Sequence, residues 1–253
     1  MSERFFSETP ITGPRAELRG AEAHHLTRVM RAAVGAEVTL FDGSGQEFAG
    51  RVARIDREGV TLDIVAARAV NRELAGPLHL GVALPKGDRQ RWLVEKATEL
   101  GATRLVPLIC ERSVAQPTPS ARARLERFVI EATKQCGRNR LMEVAAPSTL
   151  EDYLATAPAA ARRLFAHVPD DPSGSAAQTT SLAAALSQDG HAPNYETFVA
   201  IGPEGGFTPT EVAAAHKNGW QLVSLGPRTL RVESAALALV AAIALRKRSD
   251  EED

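Results

Sequence analysis

An arginine and a glutamate two positions apart, Arg231 and Glu233, follow the second of two glycine-proline turns in the last third of the chain. A carboxylate can accept a proton from a reacting group, and a guanidinium can stabilise negative charge as it develops. Both residues also have ordinary uses, since a glutamate in a first helical turn complements the dipole and an arginine there can be a plain surface residue. The two turns lift the pair above that background. The first is Ile201-Gly202-Pro203-Glu204-Gly205-Gly206-Phe207 and the second Leu225-Gly226-Pro227-Arg228-Thr229-Leu230-Arg231. Each follows an apolar strand pattern and leads into a helix. Glycines there let main chain approach a ligand closely and leave its polar groups free to read it. Ligands of α/β sheets collect outside the carboxyl ends of the strands. One such turn is most simply a tight connection; two at neighbouring strand ends point to a pocket. Neither turn continues into Gly-Lys-Ser/Thr, and neither carries Gly-x-Gly-x-x-Gly, so phosphate is disfavoured as the ligand. Main-chain polar groups with apolar contacts suit adenosine or methionine moieties.

The elements that must position these residues are legible as patterns. From residue 78 onward strands alternate with helices, the signature of an α/β sheet. Expected strands cover Leu78–Leu84, Leu105–Cys110, Leu164–Val168, Thr197–Ile201 and Leu222–Leu225. Asp88 is expected to cap a helix reaching Leu100, Arg124–Cys136 reads as an amphipathic helix with a buried Cys136, and a short helix lies around Leu182–Leu186. Thr208-Pro209-Thr210-Glu211 is a capping box with proline at the first helical position. The last helix is expected over Glu233–Arg248, with an acidic tail, 249–253, that frays. Glu95 and Glu99 form a like-charge i, i+4 pair that costs stability unless cations such as Lys96 intervene.

Residues 1–70 read differently, as a small β-rich unit. Val38–Phe41, Gln46–Ile55 and Val60–Val65 are expected strands joined by turns at Asp42–Gly45 and Asp56–Gly59. Ahead of them a helix is expected over Ala21–Ala33, with Leu26, Val29, Met30 and Ala33 inward and His24, Arg28 and Arg31 on another side. Residues 66–77 read as a linker.

Composition excludes several classes. With 44% apolar residues in 253 the chain can build real cores, and its net charge of -1 argues against nonspecific coating of nucleic acid. Two cysteines, Cys110 and Cys136, fit a reducing compartment rather than a disulfide scaffold. No signal peptide and no run near the roughly 20 apolar residues of a membrane span occurs. A soluble, cytoplasmic protein is expected, with no membrane partner. Six histidines without ligand spacing predict no metal.

The stretches Ile201–Glu211 and Leu225–Ala235 resemble the knotted methyltransferases of the SPOUT superfamily, and within it the uridine-N3 methyltransferases of small-subunit (16S) ribosomal RNA. Leu84-Pro85-Lys86-Gly87-Asp88, Glu95–Gly101, Glu111-Arg112-Ser113, Arg4-Phe5-Phe6 and the His24-His25-Leu26 helix match that family too, so the resemblance spans nearly the whole chain. It implies an α/β fold: a C-terminal trefoil-knotted methyltransferase domain over 78–248, forming a homodimer, behind an N-terminal PUA-like β-barrel domain over 1–70 that helps bind RNA. It implies S-adenosyl-L-methionine as cofactor, surrounded by Ile201, Gly202, Glu204, Gly205, Gly206, Leu225, Gly226, Leu230, Arg231 and Ser234. The partner it implies is 16S rRNA or the small ribosomal subunit. Ser234 stands where threonine is usual and Cys136 where serine is common; the second departure leaves no firm hydrogen-bonding role at position 136.

On that resemblance Glu233 is the expected acceptor of the uracil N3 proton, and Arg231 the cation facing the flanking carbonyls. Arg4, Arg28, Arg31 and Lys86 are expected at RNA phosphates, with Arg112, Arg138 and Arg140 extending the basic track. Phe5 or Phe6 is a candidate stacking platform, although such residues are commonly core. Three other readings stay open: a ribose 2'-O-methyltransferase of the same superfamily, a noncatalytic RNA-binding assembly factor, and an open-sheet nucleotide enzyme lacking its phosphate loop.

Overall fold

The computed structural model describes residues 4–114, 119–168, 179–187 and 195–249. The acidic tail beyond Ser249 lies outside them. The chain divides into two units, one of residues 1–73 and 130–141, the other of residues 74–129 and 142–253.

In the first unit, β1 (Arg4–Phe6), β2 (Arg15–Leu18), α1 (Gly20–His24), β3 (Glu37–Phe41), β4 (Gln46–Ile55) and β5 (Val60–Ala69) build a five-stranded sheet in the order β1-β3-β4-β5-β2. Alternation places Val38, Leu40, Phe48, Val52, Val60 and Leu62 in one apolar core with Phe5, Leu18 and Leu26. The strand β5 runs four residues into the stretch expected as linker, because Gln46–Ala49 pair with it out to Ala69.

The helix expected over Ala21–Ala33 is shorter and changes type. After α1 the backbone continues as a π-helical turn over His25–Val29, closed by the Met30 amide on the His25 carbonyl at 3.0 Å. A π turn inserts an extra residue and rotates the later side chains around the axis. Leu26 therefore stays buried, whereas Val29, Met30 and Ala33 are exposed. Arg31 lies past the helix at φ 55, so the expected His24, Arg28, Arg31 stripe is broken there.

The second unit contains β6 (Leu78–Val82), α2 (Asp88–Glu99), β7 (Arg104–Ile109), α3 (Pro119–Cys136), β8 (Glu143–Val144), β9 (Ser148–Thr149), α4 (Leu150–Thr156), β10 (Arg162–Ala166), β11 (Thr180–Ser181), α5 (Leu182–Ser187), β12 (Thr197–Ile201), α6 (Pro209–Lys217), β13 (Gln221–Ser224) and α7 (Val232–Ser249). The last turns of α3 fall in the first unit. The strands form a parallel sheet in the order β11-β13-β10-β12-β6-β7-β8, with β9 on β7. Asp88 is the first residue of α2 rather than its cap, since Gly87 enters at φ 66 and takes the cap position. The Glu95–Glu99 repulsion is relieved locally: Arg91 pairs with Glu95 and Lys96 with Glu99, each at 2.7 Å. Cys136 is half-buried, not fully buried as expected.

The helix α4, with no strong periodic signal, buries Tyr153 against the sheet. Its hydroxyl lies 3.1 Å from the His79 carbonyl on β6 and 3.0 Å from the Val199 carbonyl on β12; its one proton serves either. Gly81 leaves room for the ring, because a Cβ built there overlaps Tyr153. A Gly81→Ala protein is expected to lose about 1–3 kcal/mol to overpacking, read as a lower urea midpoint at unchanged m-value.

Candidate active site

The two glycine turns extend from the carboxyl ends of β12 and β13. These strands do not pair with each other: β10 lies between them, in register with Thr197–Ala200 on one side and Gln221–Val223 on the other. The expectation of directly neighbouring strand ends is corrected accordingly. The inserted strand contributes a third set of residues, Ala166, His167 and Val168, and a cleft of about 280 Å³ opens over all three strand ends. That is near the lower end of ligand pockets. A parallel sheet whose strand order reverses leaves such a crevice at its carboxyl edge.

Within the first turn Gly202 and Phe207 close on each other: a Cβ at Gly202 would stand 3.0 Å from the Phe207 ring, which itself packs on Phe165. The turn then runs into α6 through the predicted capping box. Thr208 Oγ1 accepts from the Glu211 amide and Glu211 Oε2 from the Thr208 amide. Glu211 Oε1 accepts in addition from the amide of Glu111, beyond β7. The neighbouring Arg112 donates to the Gly205 carbonyl at 2.8 Å and lines the cleft. The Glu111-Arg112-Ser113 segment is thus tied to the glycine turn at Gly205 and to the start of α6 at Glu211. In the second turn Gly226 adopts φ 112, and the space where its Cβ would project is empty.

Ile201, Gly202, Glu204, Gly205, Gly206, Leu225, Gly226 and Leu230 all line the cleft, brought together from residues about 25 apart in sequence. Arg231 and Ser234 do not line it. Arg231 is exposed immediately before α7, and Ser234 is half-buried. Sequence reasoning missed His167, Arg228, Thr229 and Val232, which do line it. Arg228 and Thr229 sit inside the second glycine turn and were open to inclusion, whereas His167 has no motif around it.

Glu233 requires a correction. Its side chain is 8% exposed, it does not line the cleft, and its nearest cation is Arg89 of α2, with Nη1 3.7 Å from Oε2. Helical geometry explains this: Val232 and Ala235 face the cleft, so position 233 turns to α2. A carboxylate so enclosed is not an open proton acceptor. Among the described residues that line the cleft, Glu204 is the only carboxylate.

The expected RNA contacts divide similarly. Arg28, Arg31, Lys86, Arg112 and Arg140 are exposed. Arg4 is not available to a phosphate, because it pairs with Glu47 and donates to the Arg138 carbonyl at 3.0 Å and Asn139 Oδ1 at 2.6 Å. Arg138 is buried on Glu73. Phe5 is fully buried beside His25, and Phe6 packs on Phe41, so neither is an open stacking platform. Among the described residues no cluster of His, Cys, Asp or Glu could hold a metal ion, and no helix is long and apolar enough to cross a membrane.

Residues 72–244 match the model of an RNA methyltransferase domain, and residues 18–65 that of an RNA methyltransferase PUA domain. The chain is 33% identical over 228 residues to a ribosomal RNA small subunit methyltransferase E of Synechocystis, covering 89% of this chain and 71% of that one. It is 27% identical over 234 residues to the Bacillus subtilis protein of the same description, covering 91% and 90%. The crystal structure of a ribosomal RNA small subunit methyltransferase E from Neisseria gonorrhoeae, bound to S-adenosyl methionine, superposes with a TM-score of 0.84 at 28% identity, covering 97% of this chain and 98% of that one.

Proposed function

This chain belongs to the ribosomal RNA small subunit methyltransferase E family, and from that premise we propose that it methylates N3 of a uridine in 16S rRNA, using S-adenosyl-L-methionine. The observation that carries the proposal is the single cleft into which both glycine turns open. Its walls fit the cofactor by chemistry: main-chain groups of the turns beside Ile201, Leu225, Leu230 and Val232 suit an adenosine. Glu204 offers a negative charge to a ligand that carries a sulfonium and an ammonium.

When bound, S-adenosylmethionine supplies an electrophilic methyl group. The chain's own task is then alignment and charge. The two turns and the end of β10 at Ala166 line the cleft. Arg231, exposed just before α7, is assigned the negative charge that develops on the carbonyls flanking N3. The N3 proton must pass to a base; with Glu233 enclosed, His167 and Glu204 are the proton acceptors that line the cleft. Exposed Arg28, Arg31, Lys86 and Arg112 are assigned to RNA phosphates. A trefoil-knotted domain, a homodimer and a cytoplasmic location belong to the same proposal.

The test is transfer from methyl-labelled cofactor to isolated small subunits, followed by mass spectrometry of the digested RNA. A methylated uracil base is expected, with Arg231→Ala transferring at about a tenth of the wild-type rate. Label on a ribose would mean the 2'-O reaction, and no label at all a noncatalytic RNA-binding factor.

A further inference from the structure

Arg89 on α2 stands between two carboxylates. Its Nη2 lies 3.2 Å from Glu204 Oε1 in the first glycine turn, and its Nη1 lies 3.7 Å from Glu233 Oε2 at the start of α7. The two acids differ in setting. Glu204 is 39% exposed and lines the cleft, whereas Glu233 is 8% exposed and, among the described residues, its Oε2 has no hydrogen-bond donor. A surface ion pair between two long side chains contributes little, because ordering them offsets the attraction. A buried carboxylate is a different anchor, since leaving it without a cation is costly. Among the described residues Arg89 is the cation that meets Glu233. Of the other elements packed on α7, β12 carries no charged residue, and β6 carries only His79, which pairs with Glu196. Arg89 therefore has a buried partner in Glu233 besides the turn, and its guanidinium reaches Glu204 from α2 with that second charge beside it.

We propose that Arg89 is a positioning residue: anchored by buried Glu233, it holds Glu204 and so fixes the glycine turn that forms one wall of the cleft. This gives Glu233 a purpose that its enclosed position fits, in place of proton transfer. It also joins α2, the first glycine turn and the start of α7 through one side chain. The proposal rests on the reading of the cleft as the S-adenosylmethionine site.

The test separates folding from cofactor binding. Arg89→Ala alone is expected to lower both melting temperature and affinity for S-adenosylmethionine, because it leaves a buried carboxylate uncompensated. Adding Glu233→Gln removes that charge. The double variant is expected to recover the wild-type melting temperature yet bind the cofactor about tenfold more weakly by calorimetry. Glu204→Gln removes both the Arg89 contact and the charge that Glu204 offers the ligand, so it is expected to weaken binding at least as much, with a smaller further loss in the Arg89→Ala, Glu233→Gln background than in the wild type. Wild-type affinity in that background, or a Glu204→Gln loss as large there as in the wild type, overturns the proposal while leaving the cleft's assignment in place. Failure of the wild-type protein itself to bind S-adenosylmethionine overturns both.

Discussion

A Gly226→Val protein is expected to bind S-adenosylmethionine at least about a hundredfold more weakly than wild type, and to lose methyl transfer in proportion, while remaining folded. The glycine sits at φ 112, where a β-branched residue is strained by about 1–3 kcal/mol. That strain falls on a half-buried turn rather than on the sheet, so the fold is expected to survive it. The larger effect is on the ligand. Nothing lies within 4 Å of a Cβ built on Gly226, and residue 226 lines the cleft. The valine methyl groups would take space from a cavity of only about 280 Å³. Gly226→Ala separates the two costs, as it carries part of the strain but fills far less volume, and its loss of affinity is expected to be several-fold smaller. Calorimetry on both variants, with far-UV circular dichroism as the check on folding, measures this. Wild-type affinity in the valine variant would remove the second glycine turn from the cofactor site.

The turns were legible because their residue types are required by local backbone geometry. Gly226 and Gly206 occupy positive φ, and Thr208 with Glu211 form a cap whose partners lie three residues apart. Strand Thr197–Ile201 was read to the residue, since a strand buried on both faces is a continuous apolar run. Other features were out of reach because they depend on partners far along the chain. The insertion of β10 between β12 and β13 is a topological fact with no local signature, and it alone brings His167 to the cleft. The inward turn of Glu233 is set by which face of α7 packs on α2. A glutamate in a first helical turn has the same sequence appearance whether it faces solvent, a ligand or a buried arginine. The π turn at His25–Val29 is similar: its residues are compatible with an ordinary helix, and the surrounding apolar core decides.

Arg138 illustrates the same limit and carries the largest expected effect on stability. Read alone, Gly137-Arg138-Asn139-Arg140 is a basic loop suited to RNA. In the structure Arg138 is 3% exposed, and its guanidinium forms a forked pair with Glu73, 65 residues earlier, through Nε at 3.1 Å and through Nη2. The same turn is pinned by its neighbours: Asn139 Nδ2 donates to the Val70 carbonyl at 3.0 Å, and the Gly137 carbonyl accepts from Arg72 at 2.8 Å. Removing one partner of a buried pair leaves an uncompensated charge and costs about 3–5 kcal/mol. Arg138→Ala is therefore expected to shift the first transition in urea unfolding by that amount, with no specific loss of RNA affinity in the protein that remains folded. Replacing both partners with apolar residues of similar volume, Arg138→Met with Glu73→Leu, is expected to recover most of the loss, because the desolvation cost of both charges disappears together. If Arg138→Ala instead left stability unchanged and lowered RNA affinity, the arginine would belong to the RNA face after all, and its burial on Glu73 would be incidental.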